Sequence, residues 1–106
     1  MSRFTNKVVI VTGAASGIGK ASAQRIASEG GLVACMDIQE DALSATVNDI
    51  NNNSDTSGPA YSYICDIGDT DSTTRAVAAV ITDHKKLNSL MNIAATLKLQ
   101  ITLELS

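Results

Sequence analysis

Three glycines between an apolar run and a helical pattern constrain the fold of this chain more than any other feature. The segment 7–12 is a short β-branched run, which predicts a fully buried strand. Gly13, Gly17 and Gly19 follow it, and from Gly17 onward the apolar residues take helical spacing. A strand, a glycine turn and a helix in this order bring backbone amides and the positive end of a helix dipole together. The sequence therefore predicts a pyrophosphate-binding turn.

The rest of the chain alternates strand and helix patterns in a regular order. Predicted strands cover 7–12, 32–37, 61–65 and 88–94, and predicted helices begin at Gly17, at Asp41 and after Asp69, the expected N-cap. The buried helix faces are predicted to carry Ile18, Ser22, Ile26 and Ala27, then Leu43, Val47 and Ile50, then Val77, Val80 and Ile81. The alternation predicts an α/β fold, a doubly wound parallel sheet that the chain follows as far as its fourth strand.

Two aspartates end predicted strands at the edge where ligands of such sheets bind. Asp37 lies 18 residues beyond Gly19, where a carboxylate can accept hydrogen bonds from the adenosine ribose and repel a 2′-phosphate. No basic residue stands at 14, 15, 16 or 38 to receive such a phosphate, so NAD is favoured over NADP. Asp66 ends the third strand in the same way. The alternative for Asp37 is a surface or helix-capping aspartate. The alternative for Asp66 is helix capping, although Asp69 or Thr70 is better placed for that role.

Composition and motifs exclude several other classes of function. The net charge is −3 and the eight basic residues are scattered, which argues against nucleic acid as a partner. The chain has no apolar run of membrane-spanning length and no signal-peptide pattern, so a cytoplasmic protein is expected. Cys35 and Cys65 form no Cys-x-x-Cys pair, and we predict two buried thiols and no metal. A phosphate-loop NTPase is excluded because Ala14 and Ala21 replace the glycine and the hydroxyl residue of that motif.

These motifs together resemble the classical short-chain dehydrogenases/reductases. The resemblance rests on the pattern Thr-Gly-x-x-x-Gly-Ile-Gly over 12–19, on Asp37, on the Asp-Ile pair at 66–67 and on the strand 90–95. It implies a Rossmann-type domain over 1–106 that binds NAD. The implied cofactor-binding residues are Gly13, Ser16, Gly17, Ile18 and Gly19 at the pyrophosphate, Asp37 and Ile38 at the ribose, Asp66 and Ile67 at the adenine, and Asn92 and Ala94 along the fourth strand.

The sequence also departs from the family pattern. Asn-Ile-Ala-Ala at 92–95 stands where the family has Asn-Asn-Ala-Gly. The family's catalytic Tyr-x-x-x-Lys is not found, since Cys65 and Ile67 lie four places after the two tyrosines. The tyrosine–lysine pair is needed for the acid–base step of the reaction. We therefore predict no catalytic residue here and an inactive 106-residue chain. His84, late in a helix among lysines, is expected to be solvated or to face the helix dipole.

The resemblance implies an oxidoreductase acting on a small-molecule alcohol or carbonyl, with a full-length form that is a homo-oligomer. Two alternatives stay open, a non-catalytic NAD-binding module and an inert truncated fragment. Residues 97–105 alternate leucine or isoleucine with more polar residues. That periodicity alone predicts a strand, whereas the resemblance implies that residues 95–106 are a loop near the active site.

Overall fold

Strands and helices alternate along the part of the chain that the structure, a computed structural model, describes: residues 3–53, 55–56 and 58–92. The strands are β1 (Val8–Thr12), β2 (Leu32–Asp37), β3 (Ala60–Ile64) and β4 (Ser89–Asn92). The helices are α1 (Gly17–Ser28), α2 (Glu40–Asn51) and α3 (Thr70–His84). The predicted order is confirmed, with element boundaries within one or two residues of those expected wherever the structure describes them.

The four strands form one parallel sheet in the order β3-β2-β1-β4. Val8 pairs with Leu32 at the start of β1, and Thr12 pairs with both Met36 and Asn92 at its end. All carboxyl ends therefore meet at one edge of the sheet. The strand order reverses beside β1, where successive strands move from one side of it to the other, and this is the switch point at which open α/β sheets bind ligands. The doubly wound α/β fold is confirmed.

The sheet separates two apolar cores because successive residues of a strand face opposite sides. One core joins alternate residues of β1 and β2 to α1 and α2, and includes Val9, Val11, Val33, Cys35, Ile26, Leu43 and Ile50. The other joins the remaining residues of the same strands to α3, and includes Val8, Ile10, Ala34, Met36, Val77 and Val80. Both faces of the sheet are covered by helices, as predicted.

The buried helix faces differ most from the predicted ones at two isoleucines, and the predicted Ser22 and Val47 are only partly buried. Ile18 is 72% exposed and Ile81 is 38% exposed. In α1 the buried stripe consists of Gly19, Ala23, Ile26 and Ala27, and in α3 it consists of Thr73, Ala76, Val77 and Val80. Each isoleucine lies at the edge of its stripe, about 100° around the helix axis from a buried neighbour, Gly19 or Val80. Glycine, alanine and threonine make up much of the two stripes. The positions of the large apolar side chains alone therefore did not predict the buried faces correctly.

The two cysteines are buried free thiols, as predicted. Burial raises the pKa of the Cys35 thiol to about 12. No helix in the described part of the chain is long and apolar enough to cross a membrane. The predicted end of the fourth strand, including Ala94, and the leucine-rich segment 97–105 lie outside the described residues.

Candidate dinucleotide-binding site

The turn between β1 and α1 leaves the first amides of the helix without a side-chain cap. Gly13 takes a left-handed conformation with φ of 67°, which glycine adopts without strain. Its carbonyl accepts hydrogen bonds from the backbone N–H of Ser16 at 3.1 Å and from the Ser16 hydroxyl at 2.7 Å. Ser16 is the N-cap residue of α1, yet its hydroxyl is directed back to the turn, and the first turn holds no acidic residue. This helix end therefore suits an anion.

Two glycines of this turn serve different purposes. A Cβ added to Gly19 would lie 1.9 Å from the Gly13 carbonyl oxygen, so Gly19 is required for α1 to pack against its own turn. Apart from its chain neighbours and the nearby backbone of its own helix, a Cβ added to Gly17 would meet no atom of the described residues within 4 Å. The fold therefore does not require a glycine at 17, and the open space beside it is available to a ligand.

Asp37, at the end of β2, is bonded directly to the glycine turn. Only 8% of the residue is exposed, and its Oδ2 accepts a hydrogen bond from the Ala15 N–H at 3.0 Å. Its Oδ1 accepts another from the Gln39 N–H at 3.1 Å. Gln39, and not Asp37, is the N-cap residue of α2, so helix capping does not explain this aspartate. Each carboxylate oxygen has two lone pairs, which leaves capacity for ribose hydroxyls. Ile38 beside it is 58% exposed.

The turn is also held from α2 by a residue that the sequence analysis missed. The hydroxyl of Thr46 lies 3.1 Å from the Ala14 carbonyl oxygen and 3.2 Å from that of Ala42. The N–H of Ala14 donates to the Met36 carbonyl at 3.1 Å. The signal that could have identified Thr46 is its position between Leu43 and Ile50 on the buried face of α2, where a polar side chain needs a partner.

Asp66 and Ile67 follow β3 at the same edge of the sheet. The N–H of Cys65 donates to the Asp37 carbonyl at 3.0 Å, which holds this segment beside the end of β2. Asp66 is exposed, and its Oδ1 accepts from the Gly68 N–H at 3.0 Å. Ile67 is 9% exposed and belongs to the second core.

Asp69 is the N-cap of α3, as predicted, because its side chain accepts hydrogen bonds from the first turn of that helix. The donors are the N–H groups of Asp71 at 3.0 Å and Ser72 at 3.5 Å. Asp66 is therefore not needed as a cap, and its carboxylate stays exposed at the ligand edge of the sheet.

Asn92 completes the edge at the end of β4. Its Oδ1 accepts a hydrogen bond from the Thr12 hydroxyl at 2.9 Å, between two residues that are also paired in the sheet register. The end of β4 is thereby fixed beside the residue that precedes Gly13. Of the eleven predicted site residues, ten are described, and they lie in the segments that follow or end the four strands at one edge. Ala94 is outside the described residues.

A second polar cluster, which the sequence analysis did not foresee, joins β3 to the end of α3. The Tyr63 hydroxyl lies 2.8 Å from Asp83 Oδ2 and 2.9 Å from His84 Nε2, and the rings of Tyr61 and His84 are 4.8 Å apart. Burial, and then the hydrogen bond and charge of Asp83, raise the pKa of Tyr63 well above its ordinary range. His84 is the last residue of α3, as a dipole-facing imidazole requires, and it is half-buried against the tyrosines.

The described residues contain no group of three or more histidine, cysteine, aspartate or glutamate side chains that could hold a metal ion. The candidate site itself presents backbone amides, carboxylates and glycines.

Comparison with known proteins matches almost the whole chain to one family. The sequence model for short chain dehydrogenase matches residues 7–106. The D-threitol dehydrogenase of Mycolicibacterium smegmatis is 33% identical over 104 residues, which cover 98% of this chain and 39% of that enzyme.

Two solved structures resemble the fold closely. An NAD⁺-bound xylitol dehydrogenase aligns with a TM-score of 0.77 and 33% identity, covering 83% of this chain and 33% of that one. A metagenomic short-chain oxidoreductase in complex with NADP aligns with a TM-score of 0.75 and 29% identity, covering 82% and 38% respectively. The chain thus spans well under half the length of these three proteins.

Proposed function

The chain belongs to the short chain dehydrogenase family, and from this we propose that it supplies the NAD-binding part of an oxidoreductase. The whole protein would transfer a hydride between NAD and a small-molecule alcohol or carbonyl. The observation that carries the proposal is the hydrogen bond between Asp37 and the N–H of Ala15 at 3.0 Å. It brings the acid that would receive a ribose to the same turn whose amides would receive the phosphates.

The residues present fit the pyrophosphate and the ribose of a dinucleotide. Gly13, Ser16 and the first turn of α1 would hold the pyrophosphate through backbone amides, with Gly17 giving the room for close approach. Asp37 and Ile38 would receive the adenosine ribose. When bound, the nicotinamide ring supplies the hydride chemistry. The residues of this chain would bind and orient it.

We further assign the adenine end and the fourth strand to the same site. Asp66 and Ile67 would flank the adenine, next to the end of β2. Asn92 and Ala94 would lie along the cofactor, and the bond from Thr12 to Asn92 supports the first of these two assignments.

NAD is proposed as the cofactor in preference to NADP because of the charge of Asp37. A carboxylate at the ribose repels a 2′-phosphate, and no arginine or lysine stands at 14, 15, 16 or 38 to offset it. The similar structures include both an NAD⁺ complex and an NADP complex, so the choice has to come from this chain's own residues.

The domain assignment rests on the share of a relative's length that this chain covers and on the catalytic motif that its sequence does not contain. We propose that residues 1–106 are part of a larger Rossmann-type domain, since D-threitol dehydrogenase matches them over 39% of its length. The sequence contains no Tyr-x-x-x-Lys, the pair that would exchange a proton with the substrate. The 106-residue chain is therefore expected to show no dehydrogenase activity alone. Separately, we propose that the full-length enzyme is a cytoplasmic homo-oligomer.

The test is a titration of the full-length protein with NADH and with NADPH, followed by the fluorescence of the nicotinamide. We expect saturable binding of NADH at least tenfold tighter than that of NADPH, a difference of about 1.4 kcal/mol. Tighter binding of NADPH would contradict the assignment of Asp37 to the ribose. Absence of binding for both dinucleotides would contradict the proposed function itself.

A further inference from the structure

We infer that Thr46 of α2 is a positioning residue that holds the glycine turn in the shape that binds the pyrophosphate. The inference rests on the proposed function, and it adds to it a residue remote in sequence that acts on the cofactor only through the turn. Neither the glycine pattern nor the strand-ending acids point to α2 as part of this machinery.

The first observation is the burial and bonding of the Thr46 side chain. The residue is 1% exposed, so its hydroxyl needs a partner inside the protein. A threonine in a helix commonly bonds to the carbonyl four residues earlier, and Thr46 lies 3.2 Å from that of Ala42. It also lies 3.1 Å from the carbonyl of Ala14, 32 residues away in sequence. The second contact serves no purpose within the helix, and it ties α2 to the turn.

The second observation is that Thr46 and Asp37 hold the two ends of one peptide group. The carbonyl of Ala14 and the N–H of Ala15 belong to the same planar unit. Thr46 donates to its oxygen at 3.1 Å, and Asp37 accepts from its nitrogen at 3.0 Å. A planar group held at both ends cannot rotate freely about its flanking bonds. Its orientation is therefore fixed by one side chain from α2 and one from β2.

The orientation of this peptide directs the chain that follows. Ser16 comes next, its hydroxyl and N–H bonded to the Gly13 carbonyl, and Gly17 then begins α1. Ala14 is fully buried, so its carbonyl has no access to solvent if the Thr46 hydroxyl is lost. The peptide would then gain by turning, and the amides ahead of α1 would move from the positions that the phosphates require.

The experiment uses the full-length protein with the substitutions Thr46→Val, which removes the hydroxyl and keeps the shape, and Thr46→Ser, which keeps the hydroxyl. Ile50→Val is the matched control, because Ile50 is a fully buried residue one turn further along the same helix face. Dissociation constants for NADH and for adenosine, which carries no phosphate, are measured beside the thermal midpoint of each variant.

We expect Thr46→Val to weaken NADH at least fivefold while changing the adenosine constant less than twofold. Thr46→Ser should restore the NADH constant to within twofold of the unaltered protein. Ile50→Val should lower the thermal midpoint and leave the NADH constant unchanged. If Thr46→Val does not fold, Thr46→Ala replaces it with the same expectation, and binding is compared at a temperature below its midpoint.

An NADH constant of Thr46→Val equal to that of the unaltered protein would overturn the inference and leave the proposed function standing. Equal weakening of NADH and adenosine would also overturn it, since that pattern indicates general loosening of the domain. Failure of the unaltered protein to bind NADH would instead overturn the proposed function, and the inference with it.

Discussion

Substitution of alanine at Gly17 and at Gly19 should separate the needs of the fold from those of the ligand. The two glycines lie in the same turn of α1, two residues apart, and each substitution adds only a Cβ. At Gly19 that atom would lie 1.9 Å from the Gly13 carbonyl oxygen and 2.6 Å from its carbon. At Gly17 it would meet, beyond its chain neighbours and its own helix backbone, no atom within 4 Å in the part of the chain that the structure describes. The pair is therefore matched in chemistry and opposite in surroundings.

The magnitudes follow from these distances. Real Cβ atoms essentially never come within 3.0 Å of such neighbours, and the atoms met by Gly19→Ala are backbone, which cannot swing aside. We expect a loss at the upper end of the range for overpacking, about 3 kcal/mol. In a domain of some 150–250 residues this lowers the thermal midpoint by roughly 6–12 °C. Gly17→Ala should leave stability unchanged or raise it by up to about 1 kcal/mol, because alanine favours a helix.

Thermal unfolding and NADH titration are both measured on the same preparation of each full-length variant. Gly17→Ala is expected to bind NADH at least tenfold more weakly, about 1.4 kcal/mol, despite its intact stability, since its Cβ would stand where the phosphate approaches. Unchanged NADH affinity in Gly17→Ala would refute the reasoning about the open space. An unchanged midpoint in Gly19→Ala would refute the steric reasoning about the turn.

Other side chains lead to further expected outcomes. The double change Asp37→Ala with Ile38→Arg should shift the ratio of NADH to NADPH affinities toward NADPH, and an unshifted ratio in paired titrations would contradict the ribose assignment. The Cys35 thiol, with its pKa raised to about 12, should resist iodoacetamide at pH 8 until denaturant is added, as mass spectrometry would show. Because the folded state holds the Cys35 proton more tightly than the unfolded chain does, the free energy of unfolding should fall as the pH rises from about 9 towards 12, which urea titrations can follow. Tyr63→Phe should cost about 0.5–1.5 kcal/mol by removing the bonds to Asp83 and His84, and Tyr61→Phe, which keeps the ring contact with His84, should cost less in the same thermal assay.

The elements of the fold were predictable because the chain shows its periodicities plainly. Short apolar or aromatic runs, β-branched only in β1, and apolar residues at helical spacing located the described strands and helices, and the alternation predicted the sheet. The prediction was wrong at Ile18 and Ile81, which were placed on buried helix faces because they are large and apolar. Burial in α1 depends on Gly19 and Ala23, which carry almost no hydrophobic signal of their own.

The candidate site was predictable only as far as local motifs reach. The glycines and Asp37 could be identified by type and spacing, but the bond from Ala15 to Asp37 depends on how two strands align. The contact of Thr46 with Ala14 joins residues 32 positions apart, and the cluster of Tyr63 with Asp83 joins residues 20 apart. Such contacts are consequences of packing, which a single sequence does not display.

The pairing of β4 has a consequence for the order in which the chain folds. Val8 donates its N–H to Asn88 Oδ1, and Thr12 donates its hydroxyl to Asn92 Oδ1, both across 80 residues. The register of β1 with β2, by contrast, closes a loop from Val8 to Leu32. Closing the longer loop costs about 1 kcal/mol more in chain entropy, and β4 also leaves a ribosome after β1, β2 and β3. We expect β1, β2 and β3 to associate first, with the two asparagines fixing the register of β4 in a later step.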